Sequence, residues 1–126
     1  MLIKKNKISN SSWIKKINFG KDPNSQDLLD HLNIIHSHYA GFTEKIATSC
    51  CDFNGKNSYE LLLETIDSNV HKDILDLACG SGVLLDYCNK HFNSKLKLSG
   101  VDMNVNELKL AQARLLNKDI NFYNAK

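Results

Sequence analysis

An α/β fold is predicted for this chain, with helices first and a βαβαβ unit after them. From Lys72 onward, short apolar runs alternate with amphipathic ones. The first apolar run, Ile74-Leu75-Asp76-Leu77-Ala78, passes straight into a glycine turn, Cys79-Gly80-Ser81-Gly82. Helical spacing follows at once from Val83 to His91. Strands joined in this way by short loops and intervening helices lie parallel, with right-handed crossovers.

Each element has its own signal. Residues 1–21 are polar and rich in Lys, Asn and Ser, an arm with one helical turn around the apolar islands Trp13, Ile14, Ile17 and Phe19. Asp22-Pro23 reads as a helix start, a capping side chain before proline at the first helical position. Leu28, Leu29, Leu32 and Ile35 then recur at helical spacing as far as Tyr39, and Gly41 ends the run. A second short helix is expected from Thr43 to Cys51. A third, capped by Asn57 or Ser58 with Glu60 in its first turn, should end near Asn69. The segment 22–71 is thus helical, and 72–126 carries the strands. These are Asp73–Ala78, Leu96–Val101 and Ile120–Tyr123, with a further helix capped by Asn104 and running to Asn117.

Composition narrows the partners. The 126 residues are 42% apolar and 24% charged, ordinary for one globular domain with a modest core. A net charge of +2 gives no basic patch for nucleic acid or an anionic membrane. No apolar run approaches the roughly 18 residues of a membrane span. The polar stretch Asn6–Ser12 is unlike a signal peptide, so a cytoplasmic location is expected. Cys50, Cys51, Cys79 and Cys88 form no C-x-x-C pair and read as free thiols. A zinc site from Cys50, Cys51 and one of His31, His36 or His38 lacks the paired spacing such sites show, and no metal is expected.

The chemistry concentrates in the glycine turn and in a second acid. Gly80 and Gly82 allow a sharp turn and close approach of a ligand. Asp76, at the strand end, can attract a cationic group. Asp102 lies twenty residues after Gly82 at the end of the second strand, the spacing at which a carboxylate accepts hydrogen bonds from both ribose hydroxyls. A dinucleotide fingerprint requires a third glycine, but Leu85 or Val83 stands there, and no P-loop Gly-Lys-Ser/Thr follows. Asp76 would also repel a pyrophosphate. A ligand with a ribose, a cationic end and no phosphate suits these residues, and S-adenosylmethionine (SAM) has those properties.

Ile74 to Gly82, followed by Gly100-Val101-Asp102, resembles the first two motifs of the class I SAM-dependent methyltransferases. The resemblance implies a Rossmann-like sheet, here the first half of one, with parallel strands in the order 3-2-1 and strand 74–78 left at an edge. It further implies that Asp76, Ala78, Gly80, Ser81 and Gly82 line the methionine end of the cofactor. Asp102 would bind the ribose, and Met103 would pack on the adenine. Asn124 takes the place of the acid that often meets the adenine amino group, and Ala78 that of the usual first glycine. Tyr39 is the candidate aromatic over the cofactor. The activity implied is methyl transfer to a small-molecule acceptor, with this chain as the cofactor-binding portion and no catalytic residue identified. A non-catalytic binding or oligomerisation module that keeps the fold, pairing as a homodimer through the edge of strand 74–78, is the alternative. A nicotinamide-dependent oxidoreductase is disfavoured by the missing glycine and by Asp76.

Overall fold

The computed structural model describes residues 8–38, 41–93, 95–116 and 118–125. The chain divides into two compact units, Met1–Phe42 and Thr43–Lys126.

In the first unit, α1 (Ser12–Asn18) and α2 (Ser25–His38) pack together through polar side chains. Ser11 caps α1, its buried Oγ accepting from the Ile14 amide at 3.3 Å and lying 2.8 Å from His31 Nδ1. Asp27 accepts from Ser12 Oγ at 2.6 Å, Lys16 Nζ at 2.6 Å and the Asn24 amide at 2.8 Å. The Lys16 ammonium, followed by the Ser12 and Asn24 donors, holds the Asp27 carboxyl down at about 2. Two expectations are corrected here. The arm forms a seven-residue helix rather than one turn. The second helix starts after Asn24, not at Asp22-Pro23, because Asn24 Oδ1 accepts from the Asp27 amide while Asp27 returns the bond.

The second unit begins with α3 (Phe42–Ser49), which starts within the first unit's last residue, and α4 (Ser58–Leu63). Asn57 caps α4 in a reciprocal capping box with Glu60. This helix stops at Leu63, short of the expected Asn69. The Thr65 amide and Oγ1 both donate to the Leu62 carbonyl, and the Ile66 amide to that of Leu63, so the last carbonyls are taken up in a tight turn.

Three parallel strands follow, β1 (Asp73–Leu77), β2 (Lys97–Asp102) and β3 (Ile120–Asn124), in the order β1-β2-β3. The α/β class, the parallel pairing and the edge position of the first strand are as expected. Helices α5 (Val83–Phe92) and α6 (Val105–Arg114) supply the crossovers. Their residues Leu85, Cys88, Phe92 and Leu108, with Leu115 at the C-cap of α6, bury against Leu98, with Ile74, Ile120 and Phe122 packed around them. Alternate residues along a strand point to opposite faces. On the other face Leu75 is 57%, Leu77 70% and Tyr123 54% exposed. Parallel sheets are ordinarily covered on both faces, so these three exposed side chains are unusual for one. Among the described residues, no helix is long and apolar enough to cross a membrane.

Candidate functional site

The carboxyl ends of β1 and β2 bring most of the expected residues together. Cys79 continues the ladder past β1, its amide donating to the Val101 carbonyl at 3.0 Å. The chain turns here through three alternate left-handed residues, Ala78 at φ 62°, Gly80 at φ 50° and Gly82 at φ 75°. Ala78 therefore adopts the conformation that a glycine would hold there without strain. The Gly82 amide closes the turn on the Cys79 carbonyl at 2.9 Å, and Ser81 is buried within it.

The two glycines differ in what surrounds them. A Cβ on Gly82 would lie 2.9 Å from Ala111 Cβ and 3.3 Å from its Cα, so this glycine lets α6 approach the turn. Among the described residues, a Cβ on Gly80 would meet only Glu107 Oε2, at 3.7 Å. Gly80 is constrained by its backbone and by its partner: its amide donates to Asp102 Oδ2 at 2.8 Å. The other oxygen of Asp102 accepts from the Asn104 amide at 2.7 Å. Asp102 thus bridges the turn after β1 and the loop after β2. A carboxylate has about four lone-pair sites, so both oxygens keep acceptor capacity.

The electrostatics are one-sided. Burial, and then the Asp102 charge, push the Asp76 carboxyl up to about 6, and both influences act in the same direction. Burial raises the Cys79 thiol to about 12, helped by the charges of Asp76, Asp102 and Glu107. Burial and Asp76 raise Cys88 to about 11. Both thiols are buried and stay protonated at neutral pH, which leaves them as packing groups.

Met103 lies half-buried in the loop after β2. Asn124, opposite Asp102 in the β2–β3 register, sends its Nδ2 to the carbonyls of Asp102 at 2.9 Å and Met103 at 3.1 Å. Tyr39 lies outside the described residues. One contributor escaped the sequence reading. Glu107, only 6% exposed, lies beside Gly80, and a glutamate in the first turn of a helix was its only signal. Gly100, noted in the sequence as part of the second motif, has a packing role besides. A Cβ there would meet Cys79 Sγ at 2.8 Å, Leu85 Cδ1 at 2.9 Å and Phe122 Cδ1 at 3.1 Å. A glycine inside a strand marks such close approach.

The family described as Methyltransferase small domain matches residues 55–125, more than half of the chain and all three strands. The chain belongs to that family. The methyltransferase small domain carries the resemblance noted above to the class I enzymes, whose methyl donor is SAM. No curated protein matches the chain. Among solved structures, the plantazolicin methyltransferase BpumL in complex with a pentazolic desmethylPZN analog and SAH is 19% identical. Its TM-score is 0.42, and the match covers 100% of this chain and 43% of that one. BpumL in complex with SAH gives 20% identity and a TM-score of 0.42 over 98% of this chain and 44% of that one. The PH0226 protein from Pyrococcus horikoshii OT3 is 22% identical, with a TM-score of 0.35 over 50% of this chain and 27% of that one. The methyltransferase small domain chain thus spans less than half the length of these structures.

Proposed function

We propose that this chain is the SAM-binding portion of a methyltransferase acting on a small-molecule acceptor. The observation that supports it most is the anionic glycine turn. Asp76, Asp102 and Glu107 all bear on Cys79, and a pyrophosphate would be repelled there. An ammonium and a sulfonium relieve that excess charge, and the carboxylate at the end of β2 suits a vicinal diol. The residues therefore fit the cofactor that the family uses.

In this reading Asp76 faces the cationic methionine end, with Ala78, Gly80, Ser81 and Gly82 forming the backbone wall beside it. Asp102 accepts from the ribose hydroxyls through lone pairs that the Gly80 and Asn104 amides leave available. Met103 packs on the adenine, and Asn124 offers Oδ1 as an acceptor for its amino group. SAM supplies an activated methyl group when bound. The residues orient it for in-line attack, and positioning of this kind accounts for much of the rate in reactions between bound partners. The low net charge favours a small acceptor over nucleic acid.

Calorimetric titration of S-adenosylhomocysteine into the chain tests this. Binding that Asp102→Ala weakens about a hundredfold is expected, and absence of heat in the unaltered chain contradicts the reading.

The exposed edge of β1 supports a second reading, a module that associates through strand 74–78. Leu75 and Leu77, at 57% and 70% exposure on an edge strand, are a surface suited to pairing. Light scattering across a concentration series separates the two. Dimers lost on Leu77→Lys support association, and a clean monomer rules it out.

A further inference from the structure

We propose that Asn124 is a positioning residue for Asp102, acting as a double donor that a carboxylate at the same place could not replace. The inference rests on the cofactor site proposed above but adds a role at the unliganded site. β2 ends at Asp102, and the chain must leave the sheet within two residues, because Asn104 already caps α6. The carbonyls of Asp102 and Met103 lie at this exit, where the ladder runs out. Carbonyls beyond the ladder take water or a side chain as their partner. The Asn124 amide supplies both, at 2.9 and 3.1 Å, and the Ala125 amide adds a longer bond of 3.3 Å to Asp102.

The consequence reaches the side chain of Asp102. With its carbonyl and the next one tied to β3, the exit path is fixed. The carboxylate is then held where Oδ2 meets Gly80 N and Oδ1 meets Asn104 N. Both acceptors of Asn124 Nδ2 are carbonyl oxygens, so the donor end of the amide must face them. An aspartate there would set an acceptor against two acceptors and add a charge beside Asp102. The acid that often stands at this position in the resembling family would therefore weaken this site.

The test uses the isotope-labelled full chain with Asn124→Ala and Asn124→Asp. Asn124→Ala removes only an exposed side chain, and Asn124→Ser is a second neutral variant should alanine not fold. In the absence of ligand, hydrogen exchange at the Gly80 and Asn104 amides should quicken by about tenfold in Asn124→Ala and further in Asn124→Asp. The Leu98 amide, inside the sheet, should stay protected. S-adenosylhomocysteine affinity should fall by about five- to tenfold in Asn124→Ala and more in Asn124→Asp. Asn124→Ala should cost less once Asp102 is alanine than it does in the unaltered chain, because only the adenine contact then remains to be lost. Unchanged exchange at Gly80 and Asn104 overturns the proposal, as does an Asn124→Asp chain that matches the original or costs that simply add. If the unaltered chain binds no S-adenosylhomocysteine while the exchange effect appears, the cofactor reading falls and the positioning role stands.

Discussion

The turn after β1 and the loop after β2 meet at the carboxyl end of one sheet, yet they are held by different means. The turn is shaped by backbone: Ala78, Gly80 and Gly82 take left-handed conformations, and Gly82 is pressed against Ala111. The loop is shaped by side chains: the Asp102 carboxylate, the Asn104 cap and the Asn124 amide. Damage to the turn should therefore register first as stability, and damage to the loop first as ligand binding. The bond from Gly80 N to Asp102 Oδ2 couples them.

The largest effect is expected at Gly82. Gly82→Ala forces a Cβ to within 2.9 Å of Ala111 Cβ and 3.3 Å of its backbone, in a left-handed residue. Overpacking and backbone strain together should cost about 3 kcal/mol or more, read as a lowered midpoint in chemical denaturation. Loss of under about 1 kcal/mol would show that α6 can shift and that the turn is not packed as described.

Asp102→Ala should divide its effect in the opposite sense. Stability should fall by about 1–2 kcal/mol, as two amides lose a charged acceptor, while S-adenosylhomocysteine affinity falls by about a hundredfold. Equal losses in both would erase the distinction between turn and loop.

Asp76 gives a smaller effect with a definite sign. Its carboxyl ionises near 6 in the folded chain against an ordinary 3.8. Between those values the folded state binds more protons than the unfolded one. Its contribution to stability is thus greatest below about 4, declines as pH rises, and levels off above about 6. A ligand ammonium beside Asp76, such as that of S-adenosylhomocysteine, works the other way, because it favours the ionised form. Affinity for S-adenosylhomocysteine should rise several-fold between about pH 5 and pH 7 with a midpoint near 6. In Asp76→Asn that dependence should vanish. A dependence that survives the substitution assigns it to another group.

The smallest change is a gain. Ala78→Gly relieves a left-handed alanine at φ 62°, against the extra chain entropy of glycine, for a net stabilisation of about 0.5 kcal/mol. A loss instead would mean that the Ala78 methyl makes contacts worth more than the strain.

Much of this arrangement was legible in the sequence. Strand, glycine turn and helix are local signals, and so is the acid twenty residues beyond Gly82. What escaped depends on contacts distant along the chain. Gly82 looks like a ligand-facing glycine until Ala111 is found against it, and Gly100 is only a motif residue until Cys79, Leu85 and Phe122 close around it. Glu107 is an ordinary first-turn acid until the turn from β1 arrives beside it. Asn124 read as a substitute for an acid, whereas its donors are already committed to two carbonyls. The helix start displaced to Asn24 and the early stop at Leu63 are competitions between neighbouring caps, which side-chain geometry decides.

The most direct test of the cofactor site is a map of amide shifts as S-adenosylhomocysteine is added to the labelled chain. Gly80, Ser81, Gly82, Asp102 and Met103 should move together along one saturating curve, while the exposed face marked by Leu75 and Leu77 stays still. Shifts confined to that exposed face, or no shifts at all, would contradict that site.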